Sequence, residues 1–220
     1  MKLKKKDKLI VAADGGAASG KTTGAKKISK KYGLKFLSSG LLYRYASYQL
    51  IKYKPKNRIQ HLKRSFNTLS LNKLNKIKLH SQQISDYTSI IAKEKKIRNI
   101  LKDFQKKFSK KYNKVCIEGR DIGTVILPNA DIKFFFKCDL TTAAKRRFQE
   151  LKKTNSSIKL NNVKKSLKTR NYRDKSRKNS PLLKSSDAII VDTGKIKNIP
   201  DMLKKMSEIM ERKIKEKYGS

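Results

Sequence analysis

The eight residues Gly15-Gly16-Ala17-Ala18-Ser19-Gly20-Lys21-Thr22 leave this chain few architectures to choose from. They satisfy the spacing G-x-x-x-x-G-K-[ST], which works only where a strand delivers the chain to a loop and a helix carries it away. Both flanks are present. An apolar run, Leu9 to Ala13, precedes the loop, and a helical pattern opens at about Lys21. The glycines let successive backbone N–H groups turn into one concavity that holds phosphate oxygens, and the helix N-terminus adds its partial positive charge. Lys21 is then placed to bridge the β- and γ-phosphates of a nucleoside triphosphate, and Thr22 to offer its hydroxyl to Mg²⁺. The segment Gly15 to Thr23 is therefore the expected nucleotide-binding loop, with Thr23 a competing hydroxyl for the metal.

The rest of the chain repeats the strand-then-helix rhythm. Short apolar runs at Lys35 to Leu37, Val115 to Ile117, Ile132 to Phe136 and Ala188 to Val191 read as four more strands. Helical patterns fill Ser81–Ala92, Glu94–Lys110, Thr141–Lys152 and Ile199–Lys217 between and after them. Such alternation predicts an α/β fold, a doubly wound five-stranded parallel sheet in a single domain over residues 1–220. Two segments fall outside the rhythm. Lys52 to Lys78 holds nine Lys and Arg and no acid, and Lys152 to Lys178 holds eleven against Asp174 alone. Each reads either as a solvated insert with little core or as a flap over polyphosphate, on the side of the sheet where α/β sites form.

Charge is the outstanding compositional number: 57 Lys and Arg against 17 Asp and Glu give +40. Negatively charged partners follow from it. Yet 46 of those cations are Lys and only 11 are Arg, a mix expected of genomic drift toward A and T codons on tolerant surfaces. A protein that reads nucleic acid with this surface should interleave aromatic platforms with its basic residues, and the chain has no Trp. No specific nucleic-acid partner is expected. No apolar stretch approaches the roughly 20 residues of a membrane span, and the apolar run after the basic start breaks at Asp14, too short for a signal peptide. A cytoplasmic monomer is the expectation. Cys116 and Cys138 fit no metal spacing and read as reduced core residues.

Where Lys comes so easily, the arginines are informative, because a planar guanidinium grips phosphate in two places. Two of them adjoin tight glycine turns: Ser38-Ser39-Gly40-Leu41-Leu42-Tyr43-Arg44 after the second strand, and Glu118-Gly119-Arg120-Asp121-Ile122-Gly123-Thr124 at the end of the third. Three more, Arg170, Arg173 and Arg177, share one helix face with Asp174. That cluster could be plain surface ion pairs, but a second phosphate-bearing substrate would require such arginines. Arg146 and Arg147 could contact the triphosphate or lie on a solvated face.

Together these residues resemble bacterial cytidylate kinase, a family of phosphate-loop nucleoside monophosphate kinases. Asp14 to Lys21 is similar to the family's Asp-Gly-Pro-x-x-x-Gly-Lys with Gly16 for Pro. Ser38 to Arg44 matches Asp-(Ser/Thr)-Gly-x-x-Tyr-Arg. Ser89 and Arg98 keep the family's spacing, and Gly119 to Val125 is present intact, followed by Pro128, Ala130 and Asp131. The basic cluster continues into Ser180-Pro181-Leu182, and Asp187 to Thr193 closes the core.

The resemblance implies ATP + CMP (or dCMP) → ADP + CDP (or dCDP), with Mg²⁺ as cofactor. It implies a CMP-binding subdomain over 41–100 and a basic helical lid over 152–180. Ser39, Arg44, Arg120 and Arg177 would hold the CMP phosphate, Ser89, Arg98 and Asp121 the cytosine, and Arg170 and Asp174 the sugar. Tyr43 and Gly119 belong to the same substrate motifs, and Lys21, Arg173 and Arg177 would supply the catalytic charge. A kinase acting on UMP or dTMP, or a basic nucleic-acid-binding ATPase, is the alternative. Against the family pattern, Ser38 and Asn171 each replace an Asp, Thr22 stands where Gly is common, and His80 where Arg is. The Tyr53 to Lys78 insert also looks short.

Overall fold

A computed structural model describes residues 3–4, 6–79, 81–153 and 156–219, so His80 and residues 154–155 of the basic segment lie outside the described residues. The chain divides into two compact units, residues 1–36 with 113–220, and residues 37–112.

The first unit carries the sheet. Its strands are β1 (Leu9–Gly15), β2 (Lys35–Ser38, which runs into the second unit), β3 (Lys114–Gly119), β4 (Ile132–Lys137) and β5 (Ile189–Asp192), in the order β2-β3-β1-β4-β5. Parallel pairing sets Leu9 against Lys114 and Gly15 against Phe136. Strand β1 is central and buried on both faces, which is why it reads as a continuous apolar run. It extends two residues past the predicted Ala13, through Asp14, which is itself buried. Helix α1 (Lys21–Tyr32) and the last helix, α9 (Ile199–Tyr218), pack together over one core. That core joins Leu9, Val11 and Ala13 to Ile28, Phe134, Phe136 and a row at four-residue spacing, Met202, Met206, Met210 and Ile214. The row is the buried stripe of an amphipathic helix.

Helices α7 (Leu140–Lys152) and α8 (Leu160–Ser176) form a smaller cluster. Ala143, Ala144, Val163 and Leu167 pack there with Ala17 of the glycine loop. The segment expected to be a lid is thus anchored by apolar residues at i and i+4 on α8, each contributing about 1.5–3 kcal/mol when fully buried.

The second unit is helical: α2 (Ser39–Tyr53), α3 (Arg58–Asn67), α4 (Leu71–Lys76), α5 (Gln82–Ile91) and α6 (Lys95–Lys111). Side-chain caps from Ser38, Asn57, Ser70 and Ser81 start four of them, each satisfying an N–H that the helix cannot. The reading of Lys52 to Lys78 as an insert with little core needs correction. Leu62, Phe66, Leu69 and Leu74 are all buried, and Phe66 stacks edge-on against both Tyr45 and Phe104. Lysines crowd the sequence between these residues but occupy the other faces of the helices.

Candidate active site

The glycine loop begins where β1 ends alongside β4, with Gly15 in register with Phe136. At Gly15 a methyl group would stand 2.5 Å from the Phe136 carbonyl oxygen, so no larger residue fits without moving the strand. Ala18 (φ 55°) and Gly20 (φ 76°) both take left-handed backbone, which turns the loop before α1. The Ser19 hydroxyl donates back to the Gly16 carbonyl at 3.0 Å. From outside, Thr193 braces the loop: its hydroxyl donates to the Ser19 carbonyl at 3.0 Å and lies 3.3 Å from the Lys137 carbonyl. Arg146 in turn grips Thr193, at 3.1 Å to the hydroxyl and 2.8 Å to the carbonyl. Arg147 is different, pairing with Glu150 on the surface at 2.9 Å. Of that pair, Arg146 therefore supports the loop and Arg147 is a solvated-face residue.

Lys21 is buried, with its Nζ 3.5 Å from Glu118 Oε2 at the end of β3. Burial pulls its ammonium down to about 8. Arg120 and Arg170 push it the same way, while Glu118 opposes them. Cations held within electrostatic reach of one another are costly until an anion arrives. Thr22 and Thr23 are exposed on the first turn of α1.

Gly119 ends β3, and the next residues carry a tight network. Arg120 Nε donates to Asp174 Oδ2 at 2.7 Å. Arg177 reaches Asp174 Oδ1 at 3.6 Å and Asp121 Oδ1 at 3.8 Å, and its Nε donates to the Ser180 carbonyl. Burial raises the Asp174 carboxyl, but Arg120, Arg170 and Arg177 outweigh it and hold the group below the usual carboxylate range. The cluster is therefore no set of solvated surface pairs, since Arg177 and Asp174 are mostly buried. Arg170 and Arg173 lie on exposed positions of α8.

Within the 37–112 unit a second group assembles. Ser38 caps α2, accepting from the Leu41 N–H at 3.4 Å, so its hydroxyl performs the capping that an Asp there would perform. The Ser39 hydroxyl accepts from Gln105 Nε2 at 2.9 Å in a buried setting. Arg44 donates to the Leu79 carbonyl at 3.1 Å and to Ser85 Oγ at 2.8 Å. Arg98, nearly fully buried, lies 5.7 Å from the centre of the Tyr43 ring and donates to the Ala92 carbonyl at 3.3 Å. Ser89, half-buried, donates to the Asp86 carbonyl at 2.7 Å.

Several site residues escaped the sequence reading as candidates. Asp14, Glu118 and Thr193 lie inside motifs whose spacing alone assigns them no role. Asn171 stood only as a departure from a pattern, yet its Oδ1 accepts from the Ala17 N–H at 2.9 Å. A carboxylate inside an apolar strand run was the available signal for Asp14 and Glu118. Ser85 and Gln105 carried none. Cys116 is buried and Cys138 half-buried, both free thiols.

A parallel sheet whose central strand feeds a braced glycine loop, with a buried lysine and an arginine–carboxylate network beside it, defines a phosphate-loop nucleotide-binding protein. Solved structures with the same fold include an uncharacterized protein from Eubacterium ventriosum. It is 18% identical, with a TM-score of 0.55, over 93% of this chain and 98% of that one. The family model for cytidylate kinase matches residues 11–212, and the chain belongs to that family. Among named relatives, the cytidylate kinase of Bartonella tribocorum is 38% identical over 85% of this chain and 87% of its own. That of Clostridium tetani is 35% identical over 96% and 98%. Among the described residues no helix is long and apolar enough to cross a membrane.

Proposed function

We propose that this protein transfers the γ-phosphoryl group of ATP to CMP or dCMP. The observation that carries the reading is the Arg120–Asp174–Arg177–Asp121 network, built on the family's intact Gly119 to Val125 segment beside the buried Lys21. In this reading the loop from Gly15 to Thr23 holds the triphosphate through its backbone N–H groups, and Lys21 neutralises the phosphate oxygens. Ser39, Arg44, Arg120 and Arg177 hold the CMP phosphate, with Tyr43 and Gly119 shaping its surroundings. Ser89, Arg98 and Asp121 read the cytosine, and Arg170 and Asp174 the sugar.

Reading cytosine with a carboxylate makes chemical sense. The exocyclic amine of cytosine donates where uracil presents a carbonyl. Facing an acceptor with a buried carboxylate costs about 1–3 kcal/mol.

Phosphoryl transfer needs alignment and charge neutralisation rather than a covalent intermediate. Lys21 and the α8 arginines supply that charge, Arg173 from an exposed position on the helix. No cluster of three or more His, Cys, Asp or Glu among the described residues could hold a metal by itself. A Mg²⁺ ion would be held together with nucleotide phosphates, with hard oxygens such as the Thr22 or Thr23 hydroxyl as protein ligands. When bound it would offset charge on the phosphate oxygens.

The test is a coupled assay of ADP release with CMP, dCMP, UMP, AMP and dTMP as acceptors. Turnover with a cytidine nucleotide well above the others is expected. Folded protein that turns over neither cytidine nucleotide would overturn the reading.

A further inference from the structure

Helix α6 buries a row at four-residue spacing: Ile97, Leu101, Gln105 and Ser109. A primary amide is out of place in such a row, because its burial is unfavourable unless hydrogen bonds compensate it. Gln105 is nevertheless only 2% exposed. Among the described residues its Oε1 has no hydrogen-bond partner, and its Nε2 donates to one atom, Ser39 Oγ, at 2.9 Å. Buried polar groups satisfied this sparingly are rare in native proteins, and they concentrate where function needs them.

Ser39 is the first residue of α2, directly after the capping Ser38. The start of that helix adds partial positive charge. It is also open: Gly40 is exposed, and a methyl group there would meet only Ser38 Oγ, at 3.6 Å. A serine hydroxyl has one hydrogen to give and two lone pairs to accept with. Because Gln105 donates, it takes up a lone pair of Ser39 Oγ and leaves the hydrogen for another acceptor. A donor feeding a hydroxyl also polarises it, which strengthens the bond the hydroxyl then gives.

We propose that Gln105 is a positioning residue for the acceptor nucleotide: by donating to Ser39, it commits the Ser39 hydroxyl to donate to the monophosphate. This rests on the phosphoryl-transfer reading above, in which Ser39 holds that phosphate, and adds how the hydroxyl is made a donor. A phosphate monoester near neutral pH presents acceptor oxygens. A hydroxyl that met it with a lone pair would repel it. Gln105 acts through Ser39 and does not itself touch the nucleotide.

The test is a double-mutant cycle on KM for CMP at saturating ATP, with wild type, Gln105→Met, Ser39→Ala and the double variant. KM for ATP and thermal midpoints are measured alongside. Met keeps the length of Gln and gives Ser39 no donor from α6. Gln105→Met is expected to raise KM for CMP about fivefold, the size of one hydrogen bond, with KM for ATP within about twofold of wild type. In the Ser39→Ala background the same change should move KM for CMP by less than about twofold, because no hydroxyl remains to orient. A merely structural Gln105 would act by the same factor in both backgrounds, and that result overturns the proposal, as does an unchanged KM for CMP in Gln105→Met. Should Gln105→Met fail to fold, Gln105→Glu takes its place in the cycle. Glu has the same size but its carboxylate can only accept, so it draws the Ser39 hydrogen inward. Its effect should again be larger with Ser39 present than with Ala there, and equal factors overturn the proposal. Wild-type protein that turns over CMP, with either failure, overturns this proposal alone. Wild-type protein inactive on CMP and dCMP overturns the functional reading and the proposal with it.

Discussion

Lys21 Nζ lies 3.5 Å from Glu118 Oε2, and both side chains are more than nine-tenths buried. A buried pair of this kind is held together largely because neither charge has another place to go. Glu118→Ala should therefore destabilise the protein by about 3 kcal/mol or more, by leaving the ammonium uncompensated. Burial already depresses Lys21 and Glu118 opposes it, so Glu118→Gln should drive Lys21 further toward its neutral form. Urea unfolding midpoints of the two variants check the first expectation. Activity of Glu118→Gln falling faster than wild type between about pH 7 and 9 checks the second.

Arg177 touches Asp121, Asp174 and the Ser180 carbonyl, whereas its neighbour Lys178 is exposed. Arg177→Ala should lower kcat/KM on the order of a hundredfold, as loss of a preorganised charge donor does. Lys178→Ala should leave it within about twofold, as surface substitutions usually do. Equal effects from the two would mean that bulk positive charge is all that matters.

Asp14 gives a pH dependence with a definite sign. Burial raises its carboxyl to about 6 against 3.8 in the free chain, while the Gly123 and Ile122 amides restrain the rise. A raised acid holds its proton more tightly in the folded state. Its stabilising contribution is full below the unfolded value and is lost as the pH climbs through about 6. Asn at this position does not titrate. The stability of wild type relative to Asp14→Asn should therefore fall between about pH 4 and pH 7, by on the order of 3 kcal/mol. Paired denaturation curves measure it, and a constant difference across that range would show that the carboxyl ionises normally.

Asn171 sits on the loop that is to receive the triphosphate, taking the Ala17 N–H at 2.9 Å. Asn171→Ala frees that amide and should tighten ATP binding several-fold, the value of one hydrogen bond. Asn171→Asp should weaken it by about tenfold, because a carboxylate holds the amide more strongly and repels phosphate. Calorimetric titration with a non-hydrolysable triphosphate distinguishes the two. Identical affinities would mean that Asn171 leaves the loop before binding begins.

Thr193 ties three segments through one hydroxyl: the Ser19 carbonyl, the Lys137 carbonyl and Arg146. Thr193→Val keeps the shape and removes the oxygen. It should cost about 1–3 kcal/mol, because buried partners are left without their bonds, and it should raise KM for ATP as the loop loosens. An unchanged melting temperature would remove Thr193 as a brace.

The strongest local patterns were the readable ones. Five apolar runs became five strands, and the glycine loop lies between strand and helix as its spacing required. Asp14 looked like the end of a strand because a charge normally stops a buried run. It continues the strand because two backbone amides from residues more than a hundred positions away compensate it. The 52–78 segment looked solvated because nine cations hid Leu62, Phe66, Leu69 and Leu74, and composition does not reveal which face a residue will take. Ser85 and Gln105 were invisible for a simpler reason, and Asn171 stood out only as a replaced Asp: each acts through a hydrogen bond to a distant segment, and no spacing encodes that.

The register of β1 also fixes an order of events during synthesis. Leu9 to Gly15 leaves the ribosome before the other strands, yet both its neighbours, β3 and β4, begin at Lys114 and Ile132. Until then about a hundred residues must emerge, and the loop they would close is entropically expensive. Residues 37–112, a compact helical unit in the finished fold, emerge in that interval. Nascent chains stalled just before Lys114 should therefore bind a hydrophobic-segment chaperone through residues 9–15, and chains stalled well beyond Lys137 should not. The nucleotide loop is thus among the first parts of this protein to be made, yet the strand that delivers it waits for β3 and β4 before it is paired.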